Sequence, residues 1–163
     1  MAVRLNFLLG LRVGELVALK WIDIEDNHLH ITREEIRHQE KGTYEVVEHT
    51  KTHSDRYVLL IPKAQTLLEK IKHESEYIFT RNGSRLTSRQ IAYVLEKYAE
   101  RQGMRTKSTH KMRKTYASML AANGVPLDAI RELLGHSDLQ TTLGYIYNPL
   151  TDSETASLIE NAL

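Results

Sequence analysis

Residues 110–147 are divided into short helical segments by residues that end or begin helices, and this punctuation restricts how the stretch can fold. Its first part carries apolar side chains at helical period. Asn123-Gly124 then predicts a helix stop, Pro126 the first turn of a second helix, and Gly135 the end of that helix. The stretch is therefore expected to form separate short helices.

The same stretch carries polar side chains at spacings that can converge on one point. His110 and Arg113 project from one side of the first predicted helix, and His136 stands just past the end of the second. A third helix from about Asp138 would carry Tyr145 inward. Taken singly, a helical histidine is usually a surface residue and a helix-terminal tyrosine usually packs. Together they make a candidate functional site.

The hydrophobic period changes along the chain. Residues 4–19 are predicted to be helical in two pieces that break at Gly10. Alternating apolar residues then predict three short strands, over 28–33, 43–50 and 56–61, that fit a small antiparallel meander. Helical patterns return after the third strand. The predicted fold is therefore mainly α with a small three-stranded antiparallel β-sheet, an α+β class.

Two capping boxes predict where later helices begin. Thr87 pairs with Gln90, and Thr151 pairs with Glu154, each three residues apart. The second box predicts a terminal helix over about 151–163. That helix is amphipathic and short, so it is expected to dock on its own domain or on a neighbour.

The length of 163 residues predicts one domain, 1–163. The short first helix leads us to expect that the sequence starts inside a larger folded unit. The absence of cysteine excludes disulfides, thiolate nucleophiles and cysteine-based zinc sites. No apolar run reaches transmembrane length, so we expect a cytoplasmic protein with no membrane partner. Four histidines near the predicted strands lack supporting carboxylates, so no metal and no cofactor is predicted; they are His28, His30, His49 and His53.

Basic residues are concentrated in one part of a chain whose net charge is only +1. The segment 101–115, called the basic strip below, contains no acidic residue and six basic ones: Arg101, Arg105, Lys107, Lys111, Arg113 and Lys114. Such a strip can meet a phosphate backbone, or it can be a solvated face. Charge alone leaves both readings open.

Four sequence motifs contain most of the candidate residues. They are GLRVGEL at 10–16, KTHSDRYVLLIP at 51–62, HKMR at 110–113 and LLGHSDLQTTLGY at 133–145. Their content and order resemble the tyrosine recombinases, the phage and transposon integrase family, over almost the whole chain. The resemblance implies the tyrosine recombinase catalytic-domain fold.

The resemblance also implies a reaction. In this family a tyrosine hydroxyl attacks a DNA phosphodiester without a metal and leaves a 3′-phosphotyrosyl link and a free 5′-hydroxyl. Arg12 and Arg113 match the two arginines that clamp the phosphate, a task suited to planar guanidinium groups that keep their charge. Lys51 matches the lysine that gives a proton to the leaving 5′-oxygen.

The other site residues follow from the same match. His110 is expected to hydrogen-bond a nonbridging phosphate oxygen or to handle the tyrosine proton, and His136 to donate to the phosphate. Glu15 is expected to hold the first arginine or His110 in place. Tyr145 is the predicted nucleophile because it lies nine residues after His136, as in the family. On one helix, Tyr147 would face about 200° away from it.

The implied partner is double-stranded DNA, contacted by Arg105, Lys107, Lys111 and Lys114. Recombination in this family proceeds in a homotetramer on paired DNA sites, and the expectation without DNA is a monomer, nucleoid-associated when DNA is bound. The N-terminal DNA-clamping and arm-binding domains of full-length members are expected to be absent. Binding is then expected to be weak, through phosphates and strongly dependent on salt.

Three other functions remain open. Residues 115–134 resemble a helix-turn-helix, which would make the chain a DNA-binding module without catalysis. The chain could also be an inactive integrase remnant. A type IB topoisomerase shares the tyrosine chemistry, although the short distance in sequence between Arg113 and Tyr145 favours a recombinase.

Overall fold

The computed structural model describes residues 1–48, 55–71, 73–147 and 150–163. Eight α-helices make up most of the ordered structure in these ranges: α1 (Ala2–Leu9), α2 (Val13–Ala18), α3 (Pro62–Leu68), α4 (Ser88–Arg101), α5 (Thr109–Ala122), α6 (Leu127–Leu134), α7 (Leu139–Leu143) and α8 (Asp152–Ala162). The strands are short: β1 (Ile24–Glu25), β2 (His28–Ile31), β3 (Arg33–Arg37), β4 (Tyr44–Glu48), β5 (Arg56–Leu59), β6 (Thr80–Arg81) and β7 (Ser84–Arg85). The predicted α+β class is confirmed.

The predicted helix ends are confirmed, and their cause is local. Gly10 follows α1 with a φ of 61°, and Gly135 follows α6 with a φ of 62°, the left-handed conformation that glycine adopts most easily. At Gly10 there is also no room for a side chain, because a Cβ atom would lie 2.2 Å from the Tyr116 ring. Helix α5 ends at Ala122, just before Asn123-Gly124.

Both predicted capping boxes are present. Before α4, the Thr87 hydroxyl accepts a hydrogen bond from the Gln90 backbone N–H, and the Gln90 side chain accepts one from the Thr87 N–H. Thr151 and Glu154 make the same reciprocal pair before α8. Each pair satisfies two of the backbone donors that a helix start leaves free.

The predicted meander is wrong in its strand order. Strand β2 pairs with β1 and β5, and β4 pairs with β3 in a separate antiparallel sheet. Strand β3 escaped prediction because its buried position is Glu35, so its sequence REEIR lacks the apolar alternation of a half-buried strand. The Glu35 carboxylate is satisfied by Arg85, at 2.5 Å, and by the Ser88 N–H, at 2.8 Å.

Two apolar cores hold the elements together. The larger joins α1, α2 and α3 to strands β2 and β5 and has fully buried leucines such as Leu5 and Leu29. The smaller joins α5 and α6 through Ala117, Ile130 and Leu134, and Tyr145 packs against it. The smaller core therefore supports the segment that carries the predicted nucleophile.

The terminal helix forms where the capping box predicts it, and of the two surfaces expected to cover it, its own domain or a neighbour, its own domain does not. No residue of α8 is buried, and Ile159, on its apolar side, is 55 % exposed. Within the described ranges, no helix has the length and apolar character required to cross a membrane.

Candidate active site

Two arginines that are far apart in sequence reach neighbouring carbonyl groups. Arg12, which precedes α2, donates from Nη2 to the Gly135 carbonyl at 3.3 Å. Arg113, on α5, donates from Nη1 to the Gly10 carbonyl at 2.7 Å and from Nη2 to the Leu134 carbonyl. Residues 134 and 135 are consecutive, so the two guanidinium groups lie side by side at the end of α6.

The two arginines differ in exposure. Arg113 is 1 % exposed, whereas the Arg12 side chain is 40 % exposed. Burial lowers the pKa of Arg113 to about 10, which still leaves it charged at neutral pH. Its buried Nε–H has no hydrogen-bond partner among the described residues. The pair therefore combines one fixed internal cation with one that solvent, or a ligand, can reach.

Glu15 holds Arg12, as one of the two predicted options requires. Its Oε1 accepts from Arg12 Nη1 at 2.8 Å, and its Oε2 accepts from the Arg12 backbone N–H at 2.8 Å. Arg56 binds the same carboxylate with both Nη atoms, at 2.9 and 2.8 Å. Burial by itself raises the pKa of Glu15, but the hydrogen bonds and charge of Arg56, followed by those of Arg12, lower it to about 2. Glu15 is thus ionised although fully buried.

Sequence reasoning missed Arg56 as a member of this cluster. The signal was present in the alternation of β5, where Arg56 and Val58 point inward while Tyr57 and Leu59 are exposed. A charged residue in the inward phase of a strand needs a buried partner. The partner, Glu15, could not be identified from local pattern because it lies 41 positions away.

His136 lies directly after the turn at the end of α6 and is 6 % exposed. Its Nδ1 is 2.9 Å from the Thr142 hydroxyl, a partner that the sequence analysis did not name, and its Nε2 has no partner among the described residues. Burial and then the charges of Arg113, Arg12 and Arg56 lower the pKa of His136 to about 4. The ring is therefore neutral at pH 7.

Tyr145 lies between the two predicted histidines. Its ring centroid is 4.9 Å from that of His110 and 4.6 Å from that of His136, both in edge-to-face geometry. His110 is exposed as a whole, but its ring is partly buried. This partial burial, and then the nearby cation Lys114, lower the pKa of His110. The structure therefore brings two of the predicted residues, His110 and His136, against the ring of a third, Tyr145.

The expectation that a helix carries Tyr145 is wrong. Helix α7 ends at Leu143, and Tyr145 lies in the following turn, where its N–H donates to the Thr142 carbonyl at 3.0 Å. The argument from helical rotation therefore does not apply. Contacts separate the two tyrosines instead, because the Tyr147 hydroxyl is 3.2 Å from the Thr115 hydroxyl.

Side chains of α5 hold the segment 144–147. The buried Ser118 hydroxyl accepts from the Tyr147 N–H at 3.0 Å and lies 3.3 Å from the Tyr145 carbonyl. Lys114 donates to the Gly144 carbonyl at 3.1 Å, and its ammonium is 5.1 Å from the centre of the Tyr145 ring. Lys114, which was predicted to contact DNA, is thus a direct neighbour of the predicted nucleophile.

The other predicted residues are exposed or lie outside the described ranges. Arg105 and Lys107 are exposed in the irregular segment between α4 and α5, and Lys111 is exposed on α5. Lys51 lies in the stretch 49–54, which is outside the described residues. In the described part of the chain, no group of three His, Cys, Asp or Glu side chains is placed to hold a metal ion.

A cavity of about 320 Å³ opens beside the arginines. Arg12, His110 and Arg113 line it, together with the β3 residues Glu34 and Glu35. A space next to two guanidinium groups and a histidine can take an anionic group such as a phosphate. These features define a cluster of cationic side chains with a tyrosine beside it.

Comparison with known proteins identifies the class. A model of the phage integrase family matches residues 1–154. The chain belongs to this family, as the order of its motifs predicted.

Individual relatives and solved structures are similar to this chain over most of its length. The chain is 34 % identical over 169 residues to the tyrosine recombinase XerA of Thermococcus kodakarensis, which covers 94 % of this chain and 54 % of the relative. It superposes with a TM-score of 0.81 on the Tn1549 transposon integrase in complex with a circular intermediate DNA, at 18 % identity, covering 99 % of this chain and 58 % of the other. The crystal structure of XerA recombinase gives a TM-score of 0.69 at 22 % identity, with 99 % and 57 % covered. The chain thus spans about half the length of the curated relatives it matches.

Proposed function

We propose that this chain is the DNA-cleaving and rejoining part of a site-specific tyrosine recombinase. The observation that carries the proposal is the position of Tyr145, between His110 and His136 and beside the cluster of Arg12 and Arg113. A nucleophile next to preorganised cations is the arrangement that phosphoryl transfer requires. Membership of the phage integrase family supports the same function.

In the proposed reaction the Tyr145 hydroxyl oxygen attacks the phosphorus of a DNA phosphodiester. The bond between the tyrosine oxygen and phosphorus forms, and the bond between phosphorus and the 5′-oxygen breaks. The phenolic proton passes to a base, for which His110 is the candidate because it is the exposed one of the two histidines beside Tyr145, and the leaving 5′-oxygen receives a proton from Lys51. Attack by the free 5′-hydroxyl on the phosphotyrosyl bond reverses these steps and rejoins a strand.

The arginines stabilise the transition state in this proposal. Negative charge accumulates on the nonbridging oxygens, and Arg12 and Arg113 present fixed N–H donors and positive charge to it. Removal of one such donor group typically costs about 3–4 kcal/mol of transition-state stabilisation. Since the carbonyls of residues 10, 134 and 135 already hold these guanidinium groups, little reorganisation is needed when a phosphate arrives.

His136 is proposed to donate a hydrogen bond to the same phosphate. When the Thr142 hydroxyl donates to Nδ1, the neutral imidazole carries its single proton on Nε2. That nitrogen is the atom without a partner among the described residues. A buried donor is costly when unpaired, so an incoming phosphate oxygen would satisfy it.

The non-catalytic helix-turn-helix function explains less. It accounts for α5, the turn and α6, but it gives no reason for α5 to bring Arg113 against residues 10 and 134. It also leaves the contact of Tyr145 with both histidines unexplained. The two functions differ in a measurable product, because only the recombinase forms a covalent protein–DNA link.

A nicked suicide DNA site, which traps the covalent intermediate, tests the proposal. Wild type and Tyr147→Phe are expected to form the adduct, and Tyr145→Phe is expected to form none. An adduct lost only in Tyr147→Phe would show that the other tyrosine is the nucleophile. DNA binding without any adduct in wild type would favour the helix-turn-helix module or the inactive remnant.

Assembly and location are further parts of this proposal. We propose that a homotetramer forms on two DNA sites, that the free protein is a monomer, and that it acts on nucleoid DNA in the cytoplasm. The exposed apolar side chains of α8, including Leu158 and Ile159, would then dock on a neighbouring protomer when DNA is bound. Deletion of 151–163 should weaken assembly on DNA, as measured by native mass determination. Unchanged assembly would contradict this role of α8.

A further inference from the structure

Arg56 connects three segments that are distant in sequence. It stands at the start of β5 and is 9 % exposed. Both of its Nη atoms bind the Glu15 carboxylate in α2, and its Nε–H donates to the Leu133 carbonyl in α6 at 2.9 Å. One side chain therefore fixes the distance between the start of α2 and the end of α6.

Arg56 also lies against the turn that precedes His136. Gly135 adopts a φ of 62°, and a Cβ atom at this position would be 2.9 Å from both Cδ and Nη1 of Arg56. The Gly135 carbonyl in turn accepts from Arg12. The position of the Arg56 side chain thus limits where this turn, and the histidine after it, can lie.

Arg56 also changes the net charge of the group around Arg12. Glu15 and Arg12 alone would form a pair with no net charge, and the carboxylate would offset the attraction of Arg12 for a phosphate. Arg56 binds the same carboxylate, so the group of Arg12, Glu15 and Arg56 carries a net charge of +1. Arg12 can then act on a phosphate as a cation whose nearest carboxylate is already neutralised.

We propose that Arg56 is a positioning residue for strand cleavage. It neutralises Glu15, which leaves the charge of Arg12 available to the scissile phosphate, and it braces the turn that places His136. Arg56 does not touch DNA in this role, because its side chain is buried. The inference rests on the proposed function, since it concerns the rate of the same reaction.

A double-variant comparison tests this role. Single-turnover formation of the covalent adduct is measured at saturating suicide DNA for wild type, Arg56→Met, Arg56→Lys, Glu15→Gln and Arg56→Met with Glu15→Gln. Each protein is assayed at a temperature where its melting curve shows it to be folded. Arg56→Met is expected to be slower than wild type by about tenfold to a hundredfold, as for a misplaced catalytic group. Arg56→Lys, which keeps the charge, should lie between them.

The decisive comparison is between Arg56→Met and the double variant, which also lacks the Glu15 carboxylate. If the loss comes from the uncompensated charge of Glu15, the double variant should cleave at least about fivefold faster than Arg56→Met, because coupled residues are not additive. A double variant as slow as Arg56→Met would overturn the proposal. So would a folded Arg56→Met that cleaves as fast as wild type.

Arg33→Met is the matched control. Arg33 lies on strand β3 and pairs with buried Asp23 at 2.6 Å, with its side chain 15 % exposed, and Asp23 is not a residue of the proposed site. Loss of this ion pair should lower the melting temperature and leave the cleavage rate of folded protein unchanged. An equal slowing in Arg33→Met would mean that Arg56 acts only through general stability, against the proposal. Absence of an adduct in wild type would instead contradict the proposed function.

Discussion

Arg113 and the exposed residues of the basic strip have the same kind of charge in opposite surroundings. Arg113 is 1 % exposed and is fixed by two backbone carbonyls, whereas Arg105 and Lys107 are exposed in an irregular segment. A buried cation acts on a nearby charge with little screening, while exposed cations are screened by salt within about 10 Å. The difference teaches that position, not residue type, decides which cations can affect chemistry and which can affect only affinity.

The sharpest test of this comparison is Arg113→Lys, which keeps the charge but loses the planar fork. A lysine has no planar fork whose two nitrogens reach the Gly10 and Leu134 carbonyls separately, so its position should be poorly defined. We expect adduct formation at saturating DNA to fall by about 10²–10³-fold, the usual effect of losing a preorganised donor. Arg81→Lys, at an exposed hairpin position, is the control and should change nothing. A loss below about threefold would mean that charge alone is sufficient at position 113.

The second test uses the pH dependence of stability. The pKa of His136 is about 4 in the folded protein, against 6.5 for an ordinary histidine. Between these values the unfolded chain takes up a proton that the folded chain does not, so stability is highest above pH 6.5 and falls as the pH drops to 4. The expected loss is about 3 kcal/mol.

Urea unfolding of wild type and His136→Gln at several pH values measures this loss. The other histidines are common to both proteins, so the difference between the two stability curves isolates His136. A parallel pair of curves from pH 7 to pH 4 would show that burial and the nearby cations do not lower the pKa of this ring.

A smaller effect is expected from Ser118→Ala, which removes the hydroxyl that holds the segment of Tyr145. The backbone N–H of Tyr147 loses its partner, at a cost of about 1 kcal/mol in stability. Adduct formation should slow by about tenfold because the nucleophile is less well placed. Thermal melting and the suicide-substrate assay measure the two effects. Ser84→Ala, at an exposed position, should show neither.

The smallest effect per residue is expected in the basic strip. Arg105→Ala combined with Lys107→Ala should weaken DNA binding at low salt and lower the slope of log affinity against log salt by about one for each residue. Fluorescence anisotropy with DNA at several salt concentrations measures the slope. An unchanged slope would mean that this strip is a solvated face that DNA does not contact.

Local rules predicted the helical part of the fold well. The ends of α1 and α6 follow from glycines that adopt positive φ, and the starts of α4 and α8 follow from capping boxes. The sheets were predicted less well. The buried position of strand β3 is a glutamate, Glu35, where the pattern of a half-buried strand requires an apolar residue. The surface that covers α8 stays a prediction, since an amphipathic pattern does not specify which surface packs against it.

In the candidate site, too, some features were predicted from the sequence and others were not. The motif order placed Arg12, His110, Arg113, His136 and Tyr145 in one group, and the structure brings them together. The helix expected to carry Tyr145 ends two residues too early, because a helix boundary is set by only a few local bonds. The role of Lys51 stays a prediction.

The sequence by itself determined the family, the fold class and most helix boundaries, and its spacing predicted Tyr145 rather than Tyr147 as the nucleophile. Each depends on residues a few positions apart or on the order of short motifs. Only the tertiary structure decided that Arg56 neutralises Glu15 and that His136 is neutral in a ring of cations. Arg56 bonds to residues 41 and 77 positions away. Such pairs, and the pKa values they set, depend on burial and distance, which no local pattern specifies.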